Sequence, residues 1–367
     1  MAVDNEGFLY PTTDIDACIN CNACNRVCPV IKLYDSEPLK NFPAETKAFA
    51  AHINDNNILL NSSSGGIFTA LASEIIKEGG AVYGAAWVNG KVRHIKVTKL
   101  SEICQLRGSK YVQSYIGNCF VEIKELLRQS HHVLFSGTPC QVAGLRSYLN
   151  KGYETLLTVE VACHGAPSPK VLQKYMQELR EQYSEDIKLD FRSKLNGDWR
   201  NYKVTAYSGD RHFFYEGPKE NIFMKGFLRE LYSRPICHEC PFKAGTSGAD
   251  ITLADFWGIE NICPSFPFHQ GVNLVLTHSF TGANLFNKLD CLVKISVPLL
   301  DALKNNDALI HNDAPHPERA YFFNNIDKKS LIPLIEICLH LRTLTRLKIR
   351  TKGYIKKLFS INKNISD

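Results

Sequence analysis

The long middle of the chain alternates between segments with helical spacing of apolar residues and short β-rich runs. The polar stretch Asn61–Gly66 precedes one helical segment, which we predict to end at Gly79-Gly80. Two β-rich stretches follow, at 81–88 and 91–98, and Asn89-Gly90 between them is typical of a hairpin turn. The apolar positions of the helix are Ile67, Phe68, Leu71, Ala72, Ile75 and Ile76. This alternation predicts an α/β domain with a mixed sheet flanked by helices.

Two predicted strands run directly into loops that contain a cysteine. A strand at 132–135 leads into Ser136–Cys140, and a strand at 155–161 leads into Ala162–Gly165, which holds Cys163. If the two strands are parallel neighbours, both thiols emerge at the sheet edge where open α/β sheets bind ligands. The helices predicted around these strands cover 120–129, the residues after Cys140 to about 149, and 170–183.

A second pair of cysteines, Cys237 and Cys240, precedes a strand predicted at 250–256. Alone, this CxxC pair is a weak signal, equally typical of half a zinc site, a redox dithiol or two incidental thiols. Together with Cys140 and Cys163 it would complete a 4Fe–4S site, and four buried structural cysteines are the alternative. Between these cysteines, further strands are predicted within 186–216, with turns at 196–197 and 208–210.

The clearest chemical signal lies near the start of the chain. Cys18, Cys21, Cys24 and Cys28 are followed by Pro29 and form the run CxxCxxCxxxCP, which is typical of bacterial ferredoxins that bind a 4Fe–4S cluster. The proline is expected to stop the chain from continuing as helix into the sulfurs. Zinc sites usually separate two ligand pairs by a dozen or more residues, so zinc and disulfides fit this spacing less well.

Length and composition divide the chain into three parts. With 367 residues, 44% hydrophobic and 22% charged, it resembles an ordinary globular protein. We predict a ferredoxin-type cluster module at 1–40, an α/β domain at 45–300 and a helical extension with a basic tail at 301–367. Thirteen cysteines without a secretion signal indicate reduced thiols and a cytoplasmic location. The cysteines without partner spacing are predicted to be small buried hydrophobes: Cys104, Cys119, Cys263, Cys291 and Cys338.

The net charge of +6 comes from the C-terminal tail. Residues 342–363 contain eight basic and no acidic side chains, which leaves 35 basic against 36 acidic in residues 1–341. Nucleic acid binding by the core is therefore not expected. Leu and Ile recur at near-helical spacing over 331–359, so the tail is predicted to lie on anionic lipid, to contact an acidic partner such as ferredoxin, or to pack on the domain with a solvated basic face.

Several longer sequence motifs of the chain resemble those of the beta-subunit family of coenzyme F420 hydrogenases and dehydrogenases. This family includes ferredoxin-dependent 7-hydroxymethyl chlorophyll a reductase. The resemblance covers roughly residues 1–300. It implies FAD, and a 4Fe–4S cluster in the α/β domain held by Cys140, Cys163, Cys237 and Cys240. The phrases that carry it are Ser64–Gly66, Gly108–Gln113, Ser136–Leu145, Cys163–Ser168, Arg234–Cys240 and Ala249–Gly258.

One departure from the family concerns the N-terminus. Members with a ferredoxin module often carry two CxxCxxCxxxCP runs, joined by a phrase like Asp4–Pro11. This chain begins inside that phrase, so we expect Met1 to be an internal methionine of a longer product, or the first half to have been lost. In two-cluster ferredoxins the fourth cysteine of each run ligates the other cluster, so here Cys28 has to close the same cluster as Cys18, Cys21 and Cys24.

Two loops are predicted to bind the flavin. Ser64, Gly65 and Gly66 open a helix and suit a pyrophosphate, although an ordinary helix cap explains them equally. Gly108, Ser109 and Lys110 form a flexible loop in which Lys110 is predicted to neutralise reduced flavin or substrate; a solvated surface charge is the alternative. Thr138 is also predicted to bind cofactor, and His164 to donate a proton or to hydrogen-bond its loop.

The predicted function is electron relay. A ferredoxin-like donor would reduce the N-terminal cluster, and electrons would pass through the inner cluster to FAD, which exchanges a hydride with a small substrate or coenzyme F420. A second hypothesis is an electron-transfer subunit that serves a separate catalytic protein, for example one of cell-surface polysaccharide biosynthesis. A third is a zinc-stabilised binding module without a redox role.

Overall fold

The computed structural model describes residues 1–34, 42–195 and 197–340. Within these ranges the strands are β1 (Ala2–Val3), β2 (Leu9–Tyr10), β3 (Lys47–Ile53), β4 (Ala81–Val88), β5 (Lys91–Val97), β6 (Val133–Gly137), β7 (Leu156–Val161), β8 (Lys188–Ser193), β9 (Lys203–Ser208), β10 (Arg211–Glu216), β11 (Ile251–Asp255), β12 (Asn273–Thr277) and β13 (Leu292–Val297).

The helices of the described ranges are α1 (Ala23–Val27), α2 (Pro29–Tyr34), α3 (Asn56–Leu60), α4 (Ile67–Lys77), α5 (Cys119–Arg128), α6 (Pro139–Leu149), α7 (Pro169–Gln182), α8 (Ile222–Leu228), α9 (Ile259–Ile262), α10 (Phe280–Lys288), α11 (Leu299–Leu303), α12 (Arg319–Asn325) and α13 (Leu331–Cys338). Short 3-10 helices cover Leu100–Leu106, Pro235–Glu239 and Asp307–Leu309.

Eight strands form one mixed sheet in the order β13-β3-β12-β11-β7-β6-β4-β5. Strands β11, β7, β6 and β4 are parallel neighbours, whereas β12 is antiparallel to both β11 and β3. Strand β3 therefore runs in the same direction as β11, and five strands end on one side of the sheet, which we call the carboxyl edge. Ligands gather at this edge in open α/β sheets.

Side chains of the sheet alternate between two buried faces. In β6, Leu134 joins the core formed with α4 and α10, while Val133 and Phe135 join the core formed with α5 and α6. The period of two follows from the pleat of a strand, and burial on both faces is typical of α/β proteins. The predicted fold class, a mixed sheet flanked by helices, is confirmed.

The elements predicted around the cysteine loops are confirmed with small shifts at their ends. The predicted hairpin forms between β4 and β5, and its turn lies at Asn89 and Gly90, whose φ angles are 50° and 71°. Both predicted cysteine strands, now β6 and β7, pair in parallel with Gly137 opposite Glu160. The β-rich stretch 186–216 is a separate sheet of order β10-β9-β8. Residue 196 of the predicted turn lies outside the described residues.

A second core lies beside the large sheet. Helices α7, α8, α12 and α13 pack with β8 and β9 around aromatic side chains, among them Tyr175, Phe191, Phe223 and Tyr232, which are all nearly inaccessible. Leu331, Leu334 and Ile335 of α13 belong to this core, which agrees with a helix packed on the domain for the start of the predicted amphipathic segment. Its basic part, from residue 341, lies outside the described residues.

The first ten residues are fixed to the main body. Phe8 is fully buried, Glu6 forms a bidentate ion pair with Arg319, and the Arg234 guanidinium donates to the Leu9 carbonyl at 3.0 Å. Arg234 also lies over the ring of Tyr10, 4.4 Å from its centroid. Because Arg234 comes directly before the 3-10 helix that carries Cys237, the N-terminal segment is attached close to this cysteine.

The predictions about the single cysteines are confirmed only in part. Cys119 and Cys338 are buried as expected, but Cys104 and Cys291 are exposed and Cys263 is half-buried. Cys104 lies on the solvent side of a 3-10 helix, and Cys291 precedes the edge strand β13. Sequence spacing alone does not reveal which side of a short surface element faces the core.

In the part of the chain that the structure describes, no helix has the length and apolar character needed to cross a membrane.

Candidate functional site

The strand ends bring Cys140 and Cys163 to the carboxyl edge. Cys140 follows β6 by three residues, in the first turn of α6, and Cys163 follows β7 by two residues. Since β6 and β7 are adjacent parallel strands, the two thiols leave the same edge side by side. The prediction that parallel strands would place them together is confirmed.

Backbone contacts attach Cys237 and Cys240 to the Cys163 loop. The Arg234 amide donates to the Ala166 carbonyl at 2.9 Å, and Pro167 forms an isolated bridge with Ser233. The 3-10 helix Pro235–Glu239 then turns the CxxC pair towards the sheet edge. Four cysteines from three separate segments therefore converge at one place.

The electrostatics of the thiols show how close they are. Burial raises the pKa of the Cys163 thiol well above its ordinary value, and Cys237 and Cys140 raise it further. Cys240 acts on Cys163 in the same direction. Burial likewise raises the pKa of Cys237 to about 12, and the pKa of Cys240 is raised for the same reason. Buried thiols of this kind become thiolates when a metal supplies compensating positive charge.

The sulfurs of the described cysteines are spaced more widely than a single tetrahedral zinc ion requires. A tetrahedral zinc site with Zn–S bonds of about 2.3 Å needs sulfurs about 3.8 Å apart. Among the described residues, no three cysteines bring their sulfurs within 4.8 Å of one another. A cube of iron and sulfide occupies the space between its thiolates and holds them farther apart. A 4Fe–4S cluster usually has four cysteine ligands, and the inner set contains four cysteines.

Polar groups around the four thiols also suit a cluster. Backbone amides of Ala166 and Phe242 donate to the sulfurs of Cys237 and Cys240, which lowers both pKa values against the larger effect of burial. Lys243 donates to the Cys163 carbonyl at 2.7 Å, and its positive charge opposes the rise in the pKa of Cys163. Amide donors and nearby cations tune the reduction potentials of iron–sulfur clusters.

The N-terminal cysteine run lies next to α6. Helices α1 and α2, which flank Cys28, both pack against α6. Asn20 and Asn22 adopt left-handed conformations with φ of 53° and 58°, so the run curls and is not a continuous helix. Pro29 starts α2, consistent with the expected interruption of the helix. Since α6 contains Cys140 and is about 16 Å long, it connects the N-terminal run with the inner set.

The predicted loop Ser64–Gly66 lies at the same edge, after β3. Its Gly65 amide donates to the side chain of Asn273 at 2.9 Å, and the Ser64 hydroxyl donates to the Val272 carbonyl at 2.5 Å. Gly66 caps α4 in a left-handed conformation, with φ of 79°. These groups are thus partly used for internal contacts, as the alternative of an ordinary helix cap expects. Their role in flavin binding stays a prediction.

We expect Gly65→Ala to destabilise the protein by about 1–3 kcal/mol, because overpacking has no room to relax here. A Cβ at this position would lie 2.5 Å from the Ala51 carbonyl oxygen and 2.7 Å from the Asn273 amide nitrogen, both backbone atoms. Thermal unfolding measures the effect. Gly152→Ala is the control, since no atom lies within 4 Å of a Cβ there. Equal melting temperatures for the two variants would contradict the assignment of close packing.

The second predicted loop contacts the first. The Ser109 amide donates to the Ser63 hydroxyl at 3.0 Å, so the two candidate flavin loops are neighbours. A Cβ on Gly108, which has a φ of 82°, would meet open space within 4 Å. The backbone at Gly108 is thus accessible to a ligand.

Lys110 is buried, and its interpretation as a solvated surface charge is wrong. Its ammonium group donates to the carbonyls of Leu106 and Arg107, at 3.0 and 2.7 Å, because the loop folds back over it. Burial lowers the pKa of Lys110 to about 7, with Asp190 opposing the change. A third N–H donor of the ammonium group remains for a ligand.

Two buried cationic side chains behind these loops, Arg192 and Lys194, were not predicted from the sequence. Arg192 forms a bidentate ion pair with Asp255 at 2.8 and 3.0 Å and donates to the Ser63 carbonyl at 3.1 Å. Lys194 donates to three carbonyls, those of Leu59, Ser64 and Gln270. Burial and the charge of Arg192 lower the pKa of Lys194 to about 7. The carboxyl edge therefore combines a cysteine centre with a cationic loop region.

The two remaining predicted residues lie beside the cysteines. The Thr138 hydroxyl is 3.1 Å from the Cys140 sulfur, so Thr138 contacts a cysteine of the inner set. His164 has Nε2 2.8 Å from a Glu230 carboxylate oxygen and Nδ1 3.4 Å from an Asp313 oxygen. The ring of His164 thus faces two acidic groups, and its role as a proton donor stays a prediction.

The fold and the site define an α/β protein with a four-cysteine centre and a cationic loop region at the carboxyl edge of its sheet. Residues 130–297 match the family model for the C terminus of the coenzyme F420 hydrogenase/dehydrogenase beta subunit. The predicted resemblance is confirmed over this stretch, which contains Cys140, Cys163, Cys237 and Cys240. This part of the chain is accordingly similar to a family of oxidoreductase subunits.

The similarity of the chain to solved structures is low. The chain is similar to one chain in a xenon-derivatised structure of the F420-reducing [NiFe] hydrogenase complex from Methanosarcina barkeri. The two share 20% identity with a TM-score of 0.49, and the match covers 75% of this chain and 88% of that one. A search of curated proteins found no match.

Proposed function

We propose that the protein is an iron–sulfur flavoprotein oxidoreductase. It relays electrons between a ferredoxin-like donor, two 4Fe–4S clusters and FAD, and FAD exchanges a hydride with a small substrate or coenzyme F420. The observation that carries the proposal is the convergence of Cys140, Cys163, Cys237 and Cys240 at the carboxyl edge, within the oxidoreductase family match.

The arrangement of the two cysteine sets supports the relay. The N-terminal set is assigned to the outer cluster, because three of its cysteines are exposed to a donor protein. The inner set is assigned to the second cluster, because Cys163, Cys237 and Cys240 are less accessible. Thr138 and Lys243 contact the inner set and are assigned to tuning its potential.

The cationic loop region is assigned to FAD. Bound there, FAD would convert single electrons into a two-electron hydride transfer. The open backbone at Gly108, the ammonium group of Lys110 and the N-terminus of α4 supply donors and positive charge for its phosphates. The Arg192–Asp255 pair holds Ser63 and so fixes the position of one loop.

We expect the affinity of the flavin-free protein for FAD to fall as the pH rises through about 7. Lys110 has its pKa lowered to about 7, so it is charged below this pH, attracts the pyrophosphate there, and loses its charge above it. Lys110→Met should bind FAD more weakly at pH 6 and show a shallower pH dependence, with Lys194 supplying the remainder.

Fluorescence titration with FAD at several pH values measures this effect. Lys91→Met, which removes an exposed lysine at the start of β5, is the control and should behave as the unaltered protein. A pH profile that is identical for Lys110→Met and the unaltered protein would remove Lys110 from the flavin site.

The proposed function is tested by anaerobic purification followed by determination of iron, sulfide and flavin per chain. We expect about eight irons and one FAD, which corresponds to two 4Fe–4S clusters and a flavin. Reduction of the flavin by reduced ferredoxin then tests the relay. Zinc without iron or flavin would overturn the redox function, and flavin reduction that requires a co-purified protein would favour an electron-transfer subunit.

A further inference from the structure

A buried acidic group beside the four-cysteine centre has two histidines as its neighbours but accepts no aligned hydrogen bond. Glu230 follows α8 and is 4% exposed, yet neither of its carboxylate oxygens has a hydrogen bond from any described residue. His164 Nε2 lies only 2.8 Å from Glu230 Oε1, but the two atoms are not aligned as a hydrogen bond. The nearest nitrogen of His238 is 3.7 Å from Glu230 Oε2.

A buried carboxylate that accepts no hydrogen bond is costly. Moving an unpaired charge from water into a protein interior costs more free energy than most other defects do. Buried charged groups are therefore usually paired or bind metals. Glu230 adopts a left-handed backbone conformation, with φ of 57°, which a glutamate rarely adopts. The local fold therefore holds this carboxylate in place at some energetic cost.

Three side chains converge as metal ligands would. One ligand atom each from His164, Glu230 and Asp313 lie within 4.8 Å of one another. Neighbouring ligands on one ion with bonds of about 2.1 Å lie about 3 Å apart, close to the 2.8 Å between His164 and Glu230. Asp313 lies 3.4 Å from Nδ1 of His164, whereas Glu230 lies at Nε2, so the mostly exposed carboxylate of Asp313 has to turn towards the Nε2 side to share an ion.

We propose that His164, Glu230 and Asp313 bind one divalent first-row metal ion beside the four-cysteine centre. Imidazole and carboxylate ligands suit Mn²⁺, Fe²⁺ and Zn²⁺, in contrast to the thiolates next to them. The ion satisfies the buried Glu230 carboxylate and ties together three segments: the Cys163 loop, the end of α8 and the loop before α12.

An ion can reach the proposed site from solvent. A surface cavity of about 670 Å³ opens beside it and is lined by His238, Ala314, His316 and Arg319 among others. Ala314 directly follows the ligand Asp313, and His238 faces Glu230. In this assignment His164 is a metal ligand and not a proton donor.

Mn²⁺ is the probe for this site, because it prefers oxygen and nitrogen ligands and avoids the cysteines. The oxidised full-length protein is treated with a chelator and titrated with Mn²⁺ under anaerobic conditions, and free Mn²⁺ is followed by its EPR signal. We expect one bound Mn²⁺ per chain. Glu230→Gln and Asp313→Asn should each weaken binding at least about tenfold.

Asp301→Asn is the matched control, since Asp301 pairs with Lys304 on α11 and is expected to leave Mn²⁺ binding unchanged. Replacing the buried Glu230 can disturb the fold, whereas Asp313 is exposed, so Asp313→Asn alone decides the test. If no Mn²⁺ binds, or if Asp313→Asn binds Mn²⁺ as tightly as the unaltered protein, the proposal is overturned and the His164–Glu230 contact is an ordinary ion pair.

Discussion

Replacing Cys163 with serine should halve the iron content, from about eight to about four atoms per chain. Cys163 lies at the centre of the inner set, where burial and three other thiols raise the pKa of its thiol. Serine is a poor ligand for iron. The remaining irons would belong to the N-terminal cluster. Iron and sulfide analysis of protein purified without oxygen measures the change.

The two cluster sites can be separated by a second variant. Cys28→Ser should also lower the iron content to about four per chain, but at the outer site, so Cys163→Ser and Cys28→Ser should retain clusters with different EPR spectra. Cys291→Ser is the control, because Cys291 is exposed and lies outside both sets. Unchanged iron in Cys163→Ser would contradict the inner cluster, and loss of all iron in Cys28→Ser would contradict independent outer and inner sites.

The sequence predicted the cysteine centre because its determinants are local. Each of Cys140 and Cys163 follows a short apolar strand, and the parallel pairing of β6 with β7 follows from the βαβ connection through α6. From the residues alone the CxxC pair could be joined to this centre only as one of two alternatives, and the family resemblance favoured it, because its contact with the Ala166 loop is a tertiary contact. The local sequence pattern thus located Cys140 and Cys163, and tertiary packing brings the CxxC pair to them.

The charged groups behind the loops could not be predicted in the same way. Lys110 resembles a surface lysine in the sequence, and only the folding of its loop over the ammonium group shows that it is buried. Arg192 and Asp255 lie 63 residues apart and meet because β8, from the small sheet, packs over the end of β11. No spacing rule connects such residues, because their distance is set by the contact between two sheets.

The same packing makes the Arg192–Asp255 pair important for stability. Burial alone would lower the pKa of the Arg192 guanidinium, but Asp255, Tyr111 and Tyr202 together outweigh burial and raise it. Arg192 also lies 4.0 Å from the centroid of the Tyr202 ring, so its position is fixed on several sides. The nearby Asp190 carboxylate accepts a hydrogen bond from the backbone amide of Arg192 and not from its guanidinium group.

We therefore expect Asp255→Asn to destabilise the protein by about 3–5 kcal/mol, because it leaves a buried guanidinium without a counter-ion. The melting temperature should fall on the order of 10 °C, and FAD content should fall with it since Arg192 holds the Ser63 loop. Thermal unfolding of the purified protein and flavin analysis measure both effects.

The control for this prediction is Asp327→Asn, which breaks an exposed ion pair with Lys170 and should change stability by less than about 1 kcal/mol. The double variant Arg192→Met with Asp255→Leu removes both charges, so it should recover part of the stability that Asp255→Asn loses. It should not recover FAD, because the Ser63 carbonyl then lacks its donor. If Asp255→Asn melts like Asp327→Asn, the buried pair does not hold the loop region together, and Lys194 with its three carbonyl contacts must do so alone.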